Sequence, residues 1–461
     1  MDYASGWGPV TFLLVAAGLA ISGGSVAAVS YANAMVASVT GLWSVWLAAG
    51  RCRNAMAVAF PCFVALLAAA PFALGEAPIW TSHGMVYNRY GYALLSILML
   101  ECFLPPFDDS GAQRREWLEP VLTGCALGLL LFLKVSYFLV GLPLIGASFL
   151  FQRQRARRAL ALTVGFAATA LIFLAYLRFD ALVMWNDLSA AAAARSGTLG
   201  VRRQFGGLVF GGAGRLALLG LATYRRGWRY VLVAALVVGA DSLLLITNAQ
   251  LSSYPLTAAF AMLCLVAWAG EWSSSPKLTW VLFLVLAVPF GLMQAAGLGY
   301  GVFESKFNPN PPGVLRFESE RLRPLILYDV APDDVDRFSN GREYVASIDD
   351  GLRLLTAHTK PNDKVANLDM FNPFAYALGR EPIRGGIAAA AYRYTLDDRH
   401  HPSAERFFAD AAVVMEPKYP ASPPIFNDGY RRIYEPELMT EFRLEAESSR
   451  WRLYRRIGSV R

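Results

Sequence analysis

Long apolar segments follow one another through residues 9–300, and a polar, charged stretch fills residues 301–461. No other feature constrains the fold as much. A run of about 20 apolar residues matches the hydrocarbon core of a bilayer when it is helical. Lipid satisfies no open backbone group, so such runs must be helices. The chain therefore reads as a polytopic α-helical membrane domain over residues 1–300, followed by a soluble α/β domain over residues 301–461. Charged residues make up 17% of the chain, against roughly 25% in soluble domains. That composition excludes an ordinary soluble enzyme.

About ten spans are expected, at 25–50, 55–74, 88–104, 119–134, 137–150, 159–177, 205–224, 230–247, 255–270 and 278–300. The stretch 9–20 is short for a crossing and reads as an interfacial or re-entrant helix, or as the first half of a span reaching residue 30. Loop charge sets the orientation. The loops 51–54, 105–118, 151–158, 225–229 and 271–277 hold twelve Lys and Arg, and the alternate loops 1–24, 75–89, 134–136, 178–204 and 248–254 hold six. Cytoplasmic loops carry the excess, so the amino terminus, the loop around His83, segment 178–204 and the whole polar tail are expected outside the cytoplasm. The net charge of +7 is then largely loop arginine, and it does not point to nucleic acid. Five cysteines lie in or beside apolar segments with no Cys-x-x-Cys pair, which argues against a disulfide framework and a zinc site. Nothing at the start resembles a cleavable signal peptide.

Segment 178–204 is apolar enough to lie on a membrane surface, and Ala190–Ala194 favours a helix there. The glycine-rich run at 205–214 has no preceding strand and no following Gly-Lys-Ser/Thr, so it reads as close helix packing and not as a phosphate loop. In the tail, helices are expected at Ile348–His358 (with Asp349 and Asp350 at its start), Pro373–Leu378 (with Asn372 as cap and Gly379 as stop), Ser403–Phe408 and Leu438–Glu447. Strands are expected at Lys364–Leu368, Ala411–Met415 and Trp451–Tyr454. This alternation implies a small α/β sandwich.

Five groups of residues are candidates for chemistry. Asp2, in the opening run Met1-Asp2-Tyr3-Ala4-Ser5-Gly6-Trp7-Gly8-Pro9-Val10, is either a general base or a solvated terminal residue. The loop Glu76–Arg89 gathers His83, Tyr87, Asn88 and Arg89 at the outer face. Arg89 suits an anionic headgroup, because a guanidinium grips phosphate with two donors, and the aromatics equally suit an interfacial belt. Lys134, at the turn between two short spans, is either a snorkelling lysine or a contact to lipid phosphate. Among acidic residues at membrane depth, Glu101 reads as interfacial. Asp241 lies well inside its span and must face a cavity or a hydrogen-bonding partner. In the tail, Asp369, Asn372 and Arg384, with the Gly385-Gly386 pair, form either a headgroup or sugar recognition surface or a set of stabilising turns. The adjacent His400 and His401 are poorly spaced for a metal, and no metal ligands are assigned.

The opening decapeptide, the short helix 9–20, the span 25–50 and the basic turn at Arg51 and Arg53 follow one another in an order that resembles bacterial polytopic glycosyltransferases of the GT-C superfamily. That group includes protein O-mannosyltransferases and the aminoarabinose transferases of lipid A. The resemblance implies a GT-C-like fold with a C-terminal extracytoplasmic α/β domain, in a multi-pass protein of the bacterial inner membrane. It also implies a polyprenyl-phosphate-sugar donor, membrane lipids as surroundings and inverting transfer to an extracytoplasmic glycan, lipid or protein. Carried over, Asp2 is the base, with Arg89 and Lys134 toward the lipid phosphate. Members have a helix ahead of the catalytic loop, so one more apolar segment is expected upstream of Met1. Many also have a second acidic residue where Tyr3 stands, which leaves a divalent metal an open question. The competing classes are a transporter or flippase of lipid-linked glycans, which would show polar path-lining residues and inverted repeats, and a non-catalytic scaffold of envelope assembly. No repeat is evident.

Overall fold

The structure is a computed structural model that describes residues 8–52, 55–107, 112–151, 155–196, 201–224, 227–248, 253–268, 276–308, 312–328, 341–420 and 424–458. The chain forms two units, one of residues 7–179 and 200–309 and one containing residues 180–199 and 310–461.

The first unit is helical. Its elements are α1 (Pro9–Ile21), α2 (Ala28–Ala49), α3 (Met56–Ala69), α4 (Val86–Phe103), α5 (Ala112–Leu133), α6 (Val135–Ser148), α7 (Arg155–Tyr176), then α9 (Val201–Tyr224), α10 (Trp228–Asn248), α11 (Pro255–Trp268), α12 (Pro276–Leu282) and α13 (Val288–Phe307). Among the described residues, four helical stretches are long and apolar enough to cross a membrane: α2, α7, α10 and Trp280–Phe307. Six shorter apolar stretches, including α1, α3 and α6, accompany them among the described residues. The hydropathy of the sequence located these helices closely. One correction concerns α5, expected to be short at 119–134. It begins at Ala112 and runs 22 residues, because its polar first turns are helical too.

Small residues set how closely these helices pack. A Cβ on Gly124 of α5 would lie 2.1 Å from the Leu162 carbonyl oxygen of α7, and one on Gly165 of α7 would lie 1.9 Å from that of Val121. Gly124 and Gly128 are four residues apart, the spacing that lets two membrane helices bring their backbones together. In α9, Gly212 sits with its Cβ position 3.4 Å from Ser242 Oγ of α10. That is ordinary contact, and a Cβ on Gly214 would meet nothing within 4 Å, so the two described glycines of the run do not show the close packing expected there.

Between α12 and α13 lies a π-helical turn, Phe283–Ala287, where the Val288 amide reaches back to the Phe283 carbonyl. Pro289 follows it. Proline has no N–H and its ring crowds the carbonyl four residues earlier, and one wide turn accommodates both faults.

The second unit contains α8 (Ala181–Ser196) and an α/β fold: β1 (Val314–Leu315), β2 (Leu327–Tyr328), α14 (Gly341–His358), β3 (Val365–Asn367), α15 (Phe374–Leu378), α16 (Ala404–Phe408), β4 (Val413–Pro417), α17 (Pro424–Glu441), β5 (Phe442–Glu447) and β6 (Trp451–Arg456). The main sheet has order β3-β4-β6-β5, parallel between β3 and β4 and antiparallel elsewhere. Its core stacks Phe407 on Tyr434 at 4.1 Å between ring centroids and sets Phe374 edge-on to Trp451.

Three expectations fail in this unit. Helix 438–447 ends at Glu441, and Phe442–Glu447 is strand β5. The run Phe-Arg-Leu-Glu-Ala-Glu contains good helix formers, but pairing with β6 overrides that weak local preference. Asp349 and Asp350 do not start α14, which begins at Gly341. They lie mid-helix, where Asp349 accepts the Glu318 amide and Asp350 accepts Ser448 Oγ and the Arg450 amide. Asn372, expected to cap α15, stands one residue before the cap position and accepts the Phe374 amide at 3.3 Å. Gly379 ends α15 in the left-handed conformation at φ 66°, as expected.

Candidate functional site

Three elements of the helical unit bring sequence-selected polar residues together. Helix α5 ends at Leu133 and α6 begins at Val135, so Lys134 is the single residue at the joint, with an extended backbone (φ −166°, ψ 122°). Its ammonium donates to Asn88 Oδ1 at 3.2 Å and lies 4.9 Å from the centroid of the Tyr87 ring. Asn88 and Tyr87 belong to the first turn of α4. Beside them, His83 Nδ1 lies 3.3 Å from the Asn33 amide nitrogen and its Nε2 lies 3.1 Å from Ser30 Oγ, both on α2. Asn33 Nδ2 can only donate, so neutral His83 carries its proton on Nε2 and donates it to Ser30. Tyr90 in turn donates to Asn33 Oδ1.

The start of α1 belongs to the same place. The Gly8 amide donates to the Leu133 carbonyl at 3.2 Å, and a Cβ there would lie 1.8 Å from the Phe132 oxygen. Only glycine fits so near the Lys134 joint. Pro9, the first residue of α1, is well placed because its missing N–H is not needed there. Asp2 lies outside the described residues.

Arg89 points elsewhere. It is fully buried, and its guanidinium donates to the carbonyls of Phe72 and Leu67 and to Gln294 Oε1, with the last bond at 2.7 Å. Its donors are directed at protein groups. Phe72 and Gln294 both line a cavity of about 200 Å³ within the helical unit. Thus Arg89 fixes a wall of that cavity.

The cavity contains a residue the sequence reading passed over. Arg215 of α9 lines it with Ser253, Tyr254 and Thr257, opposite Val285, Leu286, Pro289, Phe290 and Met293. Its guanidinium carbon lies 3.8 Å from the centroid of the Tyr254 ring. The signal was available, since Arg215 interrupts an apolar run, and an ionisable residue inside a span is by default a functional candidate. The π-helical turn Phe283–Ala287 also contributes to the wall.

Asp241 has found a partner. Its carboxylate accepts the Leu256 amide at 3.1 Å and both the amide and hydroxyl of Thr257 at 2.7 Å. It caps α11 from α10 and satisfies amides that an isolated helix end would leave open. Glu101, expected at an interface, is instead buried and forms a two-bond pair with Arg158 at 2.5 and 2.6 Å. Arg51 and Glu119 form a second such pair.

In the tail the three candidates do not share one surface contact. Asp369 is buried and accepts the Met370 amide. Asn372 bonds the Val365 carbonyl and the Phe374 amide, which braces a turn. Arg384 is exposed, with its backbone amide on Asp410 Oδ1 at 2.8 Å. Burial alone would raise Asp410, but hydrogen bonds from Lys364 and the Arg384 amide outweigh it and hold the carboxyl below its ordinary range. A Cβ on Gly385 would lie 2.0 Å from the Arg406 oxygen, so close packing accounts for that glycine. His400 bonds Asp397 and His401 bonds the Pro402 carbonyl. Among the described residues no three His, Cys, Asp or Glu side chains are grouped as a cation site.

No protein-family model matches the chain, and no curated protein matches it. Among solved structures, the crystal structure of ArnT from Cupriavidus metallidurans in the apo state is similar at 14% identity. The match covers 98% of this chain and 88% of that one, with a TM-score of 0.46.

Proposed function

We propose that this polytopic membrane protein transfers a sugar from a polyprenyl-phosphate donor to an acceptor on the outer side of a bacterial cytoplasmic membrane. The observation that carries the reading is the meeting of Tyr87, Asn88 and Lys134 with the start of α1 at Gly8. A cation held by an amide and an aromatic face, at the ends of membrane helices, suits the phosphate of an anionic lipid. The Arg215 cavity adds a second cation among apolar walls, which suits the junction of a phosphate with a hydrocarbon chain.

Asp2 is the general base in this reading. It stands six residues before Gly8, and six residues of chain span at most about 22 Å, so the Lys134 joint is within reach. Asp2 takes the proton of the acceptor hydroxyl, and the oxygen attacks the anomeric carbon. The bond from that carbon to the phosphate oxygen breaks, and the departing lipid phosphate keeps the electron pair. Lys134 and Arg215 stabilise its charge, the kind of preorganised electrostatics that lowers such barriers most. Arg89 acts as a positioning residue through Phe72 and Gln294. In the tail, Arg384 is the member of its trio left exposed to meet an acceptor.

The test uses the full chain in liposomes with a radiolabelled polyprenyl-phosphate sugar and membrane-extract acceptors. Asp2→Asn is expected to lower label transfer by about 100-fold or more, and Lys134→Gln to lower it at unchanged melting temperature. Unchanged transfer by Asp2→Asn sinks the role of that residue. Label that crosses the bilayer still attached to its carrier identifies a transporter instead.

A further inference from the structure

Helix α8 carries two opposed faces, and they have different tasks. On one, Leu182 is 75% exposed and Trp185 62%, with Asn186, Ser189 and Ala192 exposed alongside them. On the other, the Asp187 side chain is only 7% exposed and takes both guanidinium nitrogens of Arg406, at 2.9 and 3.0 Å. At 100° per residue, Asp187 stands about 170° around the helix from the midpoint of Leu182 and Trp185. Met184 and Ala194, also buried, fall on the Asp187 side. A bidentate guanidinium–carboxylate pair is geometrically demanding, so it fixes which way the opposite face looks.

Chain connectivity says what that face meets. Helix α7 ends at Tyr176 and α8 starts at Ala181, and α8 ends at Ser196 and α9 starts at Val201. Each link has four residues and spans at most about 18 Å. Both α7 and α9 are apolar helices of the membrane unit, so α8 is tethered at both ends to the level where spans leave lipid. Leu171, Ile172 and Tyr176 at the end of α7 and Phe179 in the link are exposed and apolar. They lead in sequence into the stripe of Leu182 and Trp185. The stripe carries no charged side chain among its described residues, and tryptophan and small polar groups are the residues of the headgroup boundary.

We propose that α8 lies in the membrane interface, with Leu182 and Trp185 seated at the boundary between headgroups and acyl chains, and that the Asp187–Arg406 pair ties the α/β unit to this lipid-resting helix. The inference stands apart from the sugar-transfer reading, since it uses none of the residues of that site.

Benzoylphenylalanine placed at Leu182 or at Trp185 in the full chain, in native membranes, tests it by photocrosslinking. Ile172, a lipid-facing position on α7, serves as the positive control. Lipid adducts on the α8 peptide at both positions, at no less than half the yield at Ile172, are the expected result. Protein adducts, whether to a partner or to a second copy, overturn it. So does the absence of any adduct at both positions while Ile172 crosslinks, which would place the face in water. Asp187→Asn is expected to leave the lipid adducts in place while raising the protease sensitivity of α8. A loss of adducts in that variant with the fold intact would overturn the assignment of the two faces.

Discussion

The helical unit and the α/β unit handle charge in opposite ways. In the helical unit, Arg51, Arg89, Glu101, Glu119, Arg158 and Asp241 are all buried, and each is met by two or more hydrogen bonds of good geometry. In the α/β unit, most pairs are half-exposed or exposed, as with Arg353–Glu318, whose side chains are 60% and 63% exposed. Buried Glu416, held by Tyr454, Arg452 and Arg431, and Asp187, held by Arg406, are exceptions. A charged residue is therefore more informative among apolar helices than on a surface. A charge among apolar helices is costly enough that each one needs a built partner, whereas a surface charge needs none.

The largest effect should come from breaking one of the buried pairs. Arg158→Ala leaves Glu101 uncompensated and is expected to cost about 3–5 kcal/mol, read as thermal unfolding of the full chain in detergent. Replacing both partners by leucine should cost much less, and equal losses in the single and double variants would show that the pair is not what holds α4 to α7. Next is Asp241→Leu, which strips three hydrogen bonds from the start of α11. It is expected to cost about 1–3 kcal/mol, with Asp241→Asn intermediate because one acceptor survives.

The tail should respond weakly by comparison. Glu318→Gln is expected to change stability by less than about 1 kcal/mol, and a larger loss would erase the contrast between the units. The pH dependence has a definite sign. The Asp410 carboxyl is held below its ordinary range, so its stabilisation is complete above the unfolded value of about 3.9 and is lost as pH falls through the folded value. Asp410→Asn should therefore narrow the drop in melting temperature between pH 5 and pH 3.

The same contrast explains what the sequence made legible. Helices at lipid depth need long apolar runs, so α2, α4, α7, α10 and α13 could be located from hydropathy alone. The α5–α7 contact was also written in the sequence, in the spacing of Gly124 and Gly128, but it emerges only once Gly165 is seen opposite. For β5 the signal was absent, because Arg443, Glu445 and Glu447 alternate with Leu444 and Ala446 in a run that suits a helix as well as an edge strand. Lys134 stands far from Tyr87 and Asn88 in sequence, and the turn between α5 and α6 brings the lysine to the other two, while His83 contacts α2. Arg89 was selected for a guanidinium that the structure directs to carbonyls. Arg215 was legible as a charge inside the expected span 205–224, but its role as a cavity wall appears only in the fold.

In the proposed function the helical unit binds an anionic polyprenyl lipid through Lys134 and Arg215. Saturable binding of radiolabelled polyprenyl phosphate to the purified full chain, compared with its Lys134→Ala and Arg215→Ala variants, measures it most directly. Affinity should fall at least about tenfold in each variant, roughly 1.4 kcal/mol, while Arg384→Ala binds as the parent does. Undiminished binding by both membrane variants would contradict it.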